Sequence, residues 1–305
     1  MTLIWIKKKK MNNLERDLKN AQKEVNKTIK SLLPIGKGIE KKLFEAIHYS
    51  ILSTGKRLRP FLVIQSSKLF DVDEKNALRV ASSIEMIHAY SLIHDDLPSM
   101  DNDVLRRGLP TTHKKYNEAT AILAGDSLLT LSFQVLADNL THNDPKIRCE
   151  LIQELAKASG AYGMVAGQMM DLEAENKKLS IGVITRIQRL KTGALIAFSC
   201  NAGAILGRAE KKDKFALQGY AHDIGLAYQI RDDLLDVTST TKKLGKKVKK
   251  DKKAGKKNFV SILGIERAKK QLEFLANQAI KHLEAFDKKA DLLREVARFI
   301  VERNK

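Results

Sequence analysis

The chain has 305 residues, is 43% apolar, and carries 55 Lys and Arg against 36 Asp and Glu, a formal net charge of +19. That length and apolar content are enough for a substantial core. Two cysteines exclude a disulfide framework or a cysteine-based metal knot, and the excess charge favours phosphate-bearing partners without choosing among them.

The first ten residues place a short apolar run ahead of four lysines, the reverse of a secretory signal. They read as a disordered extension, with Met11 as an alternative start and residues 11–305 as the folded domain. No apolar stretch in the sequence reads as a bilayer span, and a reducing cytoplasm suits the cysteine usage. Five prolines and long stretches of Ala, Leu, Lys, Glu and Gln, with apolar residues recurring three and four apart, predict helix almost throughout. The clearest segments are 39–53, 77–94, 119–140, 147–170, 184–206, 214–235 and 262–286, and none alternates as a strand would. Several are apolar around most of their circumference, so they must be surrounded by other helices. The predicted fold is all-α, a single large bundle.

In chain order the first chemical feature is Gly55-Lys-Arg-Leu-Arg-Pro60, three cations in a turn ahead of an apolar segment. The next helix carries His88, Tyr90 and Ser91 and runs into Asp95-Asp96-Leu-Pro-Ser-Met-Asp101, where Pro98 ends or distorts it. His88, Ser91 and Asp95 share one face. Arg106-Arg107-Gly108 follows directly, and guanidinium forks match diphosphate oxygens. His94 and His113 read as structural. Lys191-Thr192 opens an otherwise apolar stretch, and Gln229 stands one turn before Asp232-Asp233-Leu-Leu-Asp236. Asp232 and Asp236, four apart, lie on one helical face and repel unless a cation sits between them. Carboxylate oxygens favour Mg²⁺, with Mn²⁺ as a substitute, the shell being completed by substrate phosphate. Either cluster alone is as readily an exposed acidic turn; the two together, each closing an apolar helix, point to metal. Beyond Asp236, ten lysines lie between Lys242 and Lys257, with glycines at Gly245 and Gly255, which predicts a phosphate-seeking loop rather than a packed helix. Neither a zinc-finger spacing nor an RNA-binding aromatic segment occurs, so nucleic acid is not the expected partner.

The ordered set GKRLRP (55–60), IEMIHAYSLIHDDLPSMDNDVLRRG (84–108), AGDSLL (124–129), AGQMMDL (166–172), KTG (191–193) and YQIRDDLLD (228–236) resembles the trans-isoprenyl diphosphate synthases, and among them the bacterial farnesyl diphosphate synthases. The resemblance runs from about Leu32 onward. It implies a homodimeric helical enzyme whose central cavity takes isopentenyl diphosphate with dimethylallyl or geranyl diphosphate. It further implies Asp95, Asp101 and Asp232 as metal ligands, with Asp96 and Asp236 in support. Arg106, Lys191 and Lys246 would hold the allylic diphosphate, with Lys256 at the loop's second Gly-Lys position. Lys56, Arg59, His88 and Arg107 would hold isopentenyl diphosphate. Oxygens of Lys191, Thr192 and Gln229 would steady a carbocation, and Tyr90 with Ser91 would set chain length at C15, where a small residue often permits C20. The chain departs from the family at Lys249, where a glycine is common, and at Asn258-Phe259-Val260, where Thr-Tyr-Pro is common. Three other readings compete: a C20 synthase of the same chemistry; a non-catalytic regulatory subunit, which would typically lose an aspartate cluster; and a terpene cyclase, which would lack the second cluster and GKRLRP.

Overall fold

The structure, a computed structural model, describes residues 2–303 apart from 54, 175, 176, 178 and 239–257, with side chains from Leu14 onward. Lys246 and Lys256, and most of the lysine-rich segment, lie outside the described residues. In chain order the helices are α1 (Thr2–Leu32), α2 (Lys41–Leu52), α3 (Leu58–Lys68), α4 (Glu74–Asp95), α5 (Thr112–Lys115), α6 (Glu118–Ala137), α7 (Pro145–Ser159), α8 (Met164–Glu173), α9 (Ile181–Gln188), α10 (Ala194–Leu206), α11 (Lys211–Thr238), α12 (Phe259–Leu263), α13 (Ile265–His282) and α14 (Asp291–Glu302). Backbone of the first ten residues continues α1 from Thr2, where the sequence suggested an extension; their side chains lie outside the described residues.

Local chemistry fixes the helix starts. Asp73 accepts from the Lys75 amide at 2.7 Å to open α4, Asn117 accepts from Thr120 to open α6, and Asp144 caps α7 with Pro145 in its first turn. Each such cap is worth about 1 kcal/mol. Two predicted segments divide and a third changes its winding. Residues 147–170 split between α7 and α8, because the chain turns at Gly160–Gly163, where a Cβ on Gly163 would stand 2.1 Å from the Ala158 carbonyl oxygen. Residues 262–286 break at Gly264, which has φ +76°. Residues 184–206 stay helical but widen into a π turn at Arg189–Gly193 between α9 and α10.

The expectation of no strand is corrected in one place: Leu105–Arg106 (β1) pairs antiparallel with Leu109–Pro110 (β2). Arg107 and Gly108 form the turn between them with φ of 53° and 80°, the primed hairpin geometry. Two residues per strand are too few for alternation to show in sequence.

Two apolar clusters meet along α10. One gathers α4, α6 and the inner face of α2; the other gathers α11, α13 and α14. Helix α4 is buried on nearly all sides through Val80, Ala81, Ile84, Met86 and Ile87, and burial of each larger side chain stabilises by roughly 1.5–3 kcal/mol. Helices α3 and α10 touch at backbone level: a Cβ on Gly203 would stand 2.3 Å from Ser66 and Ser67 backbone atoms. Helix α6 corrects the expectation that no segment is long and apolar enough to cross a membrane, since Glu118–Ala137 meets that measure with mean hydropathy 1.4. Ala121, Ala124 and Leu128 pack one face of it into the first apolar cluster, and 44% of that window is buried. Within this frame α4 and α11 present their aspartates, and the π turn lies against both α8 and α11.

Candidate active site

At the end of α4 the chain folds back on itself. The Asp101 amide donates to the Asp95 carbonyl at 2.9 Å, and the Met100 and Asn102 amides both donate to Leu97. This turn brings the Asp101 charge onto Asp95, whose carboxyl is pushed up to about 6 by burial. Lys191 and Arg106 oppose that rise, while Asp101 and Asp96 add to it. Neither the Asp95 nor the Asp101 carboxylate makes a hydrogen bond or ion pair with another described side chain. A recessed carboxylate left unpaired beside a second one is a costly arrangement that a divalent cation relieves.

Asp96 has a different fate. It is 3% exposed and grips Arg106 through both oxygens, with Nε at 2.9 Å from each and Nη2 at 2.6 Å from Oδ1. The pair ties the hairpin to the end of α4 and commits two nitrogens of a residue assigned by resemblance to diphosphate.

The basic turn and the hairpin converge. A Cβ on Gly55 would stand 2.4 Å from Nη1 of Arg107, so a side chain there would have to push the end of that guanidinium aside. Arg57 takes φ 51°, a conformation costing about 1–2 kcal/mol, and its side chain turns inward. There it meets Glu85 at 2.6 Å and also donates to Asn26 Oδ1 and the Ile51 and Ser53 carbonyls. Arg59 carries a buried Nε with no hydrogen-bond partner among the described residues, and burial lowers its pKa against the charges of Tyr228, Glu85 and Asp232. His88 is held well below its ordinary value, first by burial and then by Arg59, Arg107, Arg106 and Arg57. A neutral imidazole beside four guanidiniums, Arg57 and Arg106 among them paired with Glu85 and Asp96, is a setting that can accept an anion. Lys56 is exposed at the rim of the turn.

Across from α4, the π turn presents Lys191 and Thr192. Such widenings recur where a backbone must offer groups to a ligand. Lys191 Nζ pairs with Asp171 at 2.7 Å, and a Cβ on Gly167 would stand 2.2 Å from the Lys191 amide nitrogen, so α8 abuts the turn. Thr192 donates to Gln229 at 3.4 Å, Gln229 donates to Asp233 at 3.2 Å, and Asp233 also accepts from the Phe259 amide at 2.9 Å. Asp233 thus serves structure, anchoring α12 where the capping box of Asn258 and Ser261 starts it, while Asp232 accepts from Arg303 at 2.7 Å. No three His, Cys, Asp or Glu side chains among the described residues close a metal site alone.

Tyr90 is 8% exposed one turn before Asp95, with its ring edge-on to His94 at 5.7 Å between centroids. Ser91 donates to the His88 carbonyl. His94 contacts the Ile122 carbonyl and His113 contacts Thr111, both in structural settings. Arg57, Glu85, Gln168, Asp171 and Arg303 also shape the site, without a role expected from the sequence. Gln168 has both amide atoms buried without a partner among the described residues, a state that calls for an explanation. AGQMMDL holds Gln168 and Asp171, GKRLRP holds Arg57 and the 84–108 motif holds Glu85, so each had a signal; nothing local marks Arg303.

The polyprenyl synthetase family model matches residues 40–296. The chain is 44% identical over 264 residues to farnesyl diphosphate synthase of Geobacillus stearothermophilus, covering 86% of this chain and 89% of that one. It is 42% identical over 263 residues to geranylgeranyl diphosphate synthase of Cyanophora paradoxa, covering 86% and 88%. A crystal structure of an FPP/GFPP synthase from Zymomonas mobilis superposes with a TM-score of 0.87 at 46% identity, covering 95% of this chain and 99% of that one. The helical frame is that of the all-α prenyl synthases. The chain belongs to the polyprenyl synthetase family.

Proposed function

We propose that this protein is a farnesyl diphosphate synthase, joining isopentenyl diphosphate to dimethylallyl and then geranyl diphosphate. The observation that carries the reading is the pairing of an unpartnered Asp95–Asp101 carboxylate pair with a cluster of guanidiniums around a neutral His88. One surface suits a metal-bound diphosphate and the other a metal-free one.

Asp95, Asp101 and Asp232 would hold Mg²⁺, or Mn²⁺, which supplies charge neutralisation on the departing diphosphate. Lys191 and Arg106 face the same charge and stabilise it as the allylic C–O bond breaks. Lys56, Arg59, His88 and Arg107 orient isopentenyl diphosphate so that its double bond meets the allylic cation. Oxygens of Lys191 and Thr192 at the π turn, with Gln229, steady positive charge. Loss of a proton to the released diphosphate completes the C–C bond, and the apolar walls of α4 and α10 exclude water that would quench the cation. Lys246 and Lys256 are assigned to the diphosphate by resemblance alone. Tyr90, buried below Asp95, with Ser91 beside it, favours a C15 end point; the second reading, a C20 synthase, draws on the similarity to the Cyanophora enzyme. Exposed Ile122 and Leu123 on α6, with Val165 and Met169 on α8, suit burial in a homodimer. We place the enzyme in the cytoplasm.

Incubation with isopentenyl diphosphate, dimethylallyl diphosphate and Mg²⁺, followed by product analysis, tests the reading. A dominant C15 product is expected; a C20 product removes the Tyr90 argument, and no prenyl product removes the synthase assignment.

A further inference from the structure

Arg303, immediately after α14, is placed with unusual firmness. Its amide donates to the Phe299 carbonyl at 2.9 Å, and Leu293, Val296, Ala297 and Ile300 bury the helix that leads to it. The Arg303 carbonyl accepts from Arg231 Nε at 2.8 Å. Its side chain is 4% exposed, lies 3.9 Å from the centre of the Tyr228 ring, and donates through Nη2 to the Tyr228 carbonyl at 3.0 Å and to Asp232 Oδ1 at 2.7 Å. Its Nε is a buried donor with no partner among the described residues. A buried guanidinium with an unmet donor is costly to maintain, so the fold sustains that cost to keep one unit of positive charge on one oxygen of Asp232.

We propose that Arg303 is the resident counter-cation of the second aspartate cluster, and that it makes metal loading there depend on a diphosphate. The inference rests on the synthase reading. Asp232 and Asp236 share one face of α11, where like charges repel, and Arg303 compensates the Asp232 carboxylate in the empty enzyme. Stacking on Tyr228 and the backbone bonds hold the guanidinium in place, so it stays when a metal arrives. A unit charge retained within several ångströms of a divalent site opposes loading by about tenfold, even at water-like screening. Fixing the Asp232 rotamer acts the other way, by a smaller factor of a few. The net effect is a cluster that binds metal weakly alone and well once diphosphate oxygens restore negative charge.

Mn²⁺ binding, followed by the electron paramagnetic resonance of the free ion, tests this on wild type, Arg303→Gln and Arg303→Lys, with and without inorganic diphosphate. Without diphosphate, Arg303→Gln is expected to bind Mn²⁺ about threefold more tightly than wild type, the tenfold charge effect less the few-fold loss of rotamer fixing, and Arg303→Lys to stay near wild type. With diphosphate saturating, the gap should narrow. Metal-free Arg303→Gln should unfold at a lower temperature than wild type and recover with Mn²⁺. Equal or weaker Mn²⁺ binding by Arg303→Gln, or a gap indifferent to diphosphate, overturns the inference alone. No Mn²⁺ binding by wild type even with diphosphate removes the synthase reading and this inference with it. Arg303→Met, which fills the buried volume without charge, carries the same readout should the glutamine variant fail to fold.

Discussion

Glu85→Ala tests how the basic turn is held. In the native protein the Arg57 and Glu85 side chains are 3% and 5% exposed and meet at 2.6 Å. Removing one partner of a buried pair costs about 3–5 kcal/mol, because the other charge remains without compensation. Arg57 would keep Asn26 and the Ile51 and Ser53 carbonyls, the latter two at the C-terminal end of α2. Such carbonyls carry partial negative charge worth about 0.3–1 kcal/mol to a nearby cation, which places the expected loss near 3 kcal/mol. Glu85 is also the carboxylate whose charge acts on Arg59 and Arg107, so its loss sharpens repulsion among the guanidiniums. Urea unfolding of wild type and variant at matched m-values measures the effect. The double variant Arg57→Met/Glu85→Leu, which leaves no orphan charge, should lose less than the two single variants together. A loss below about 1 kcal/mol for Glu85→Ala would show that the pair is solvated and refute the reasoning.

His88 gives a pH signature. Its folded pKa lies below the ordinary value, so below about pH 6.5 the unfolded chain takes up a proton that the folded chain refuses, and stability falls by up to ~1.4 kcal/mol per pH unit. His88→Gln should show a correspondingly shallower acid slope in urea titrations; identical slopes would count against the assignment. Gly203→Ala should cost about 1–3 kcal/mol by forcing α3 from α10, read as a lower urea midpoint with unchanged m. Asp95→Ala and Asp232→Ala should each abolish prenyl transfer in a product assay while leaving the helical circular dichroism intact. Tyr90→Ala should lengthen the product beyond C15 by chromatography, and an unchanged product would free Tyr90 from that role.

Helix positions were legible because apolar periodicity and caps are local: the 77–94 and 214–235 segments lie within α4 and α11. Breaks were less legible, since the Gly160–Gly163 turn and Gly264 interrupt helices through backbone contacts and positive φ that composition does not announce. Both aspartate clusters and the basic motifs stood out as strings of like charge. What remained hidden were the partners that divide those strings by task. Asp96 goes to Arg106, Asp233 to Phe259 and Gln229, and Asp232 to Arg303, each set by contacts between distant segments. Within one string of aspartates, the fold separates architecture from chemistry.

The π turn at Arg189–Gly193 also bears on how the enzyme tolerates change in chain length. A π turn holds one residue more than an α turn, and each residue of a helix advances the direction of its side chains by about 100°. Deleting a single residue from this stretch would let α9 and α10 run on as one ordinary helix, which ought to be no less stable by itself. The same deletion would swing Lys191 and Thr192 away from Asp171 and Gln229, so insertions and deletions here are constrained by register with the neighbouring helices rather than by the integrity of the helix.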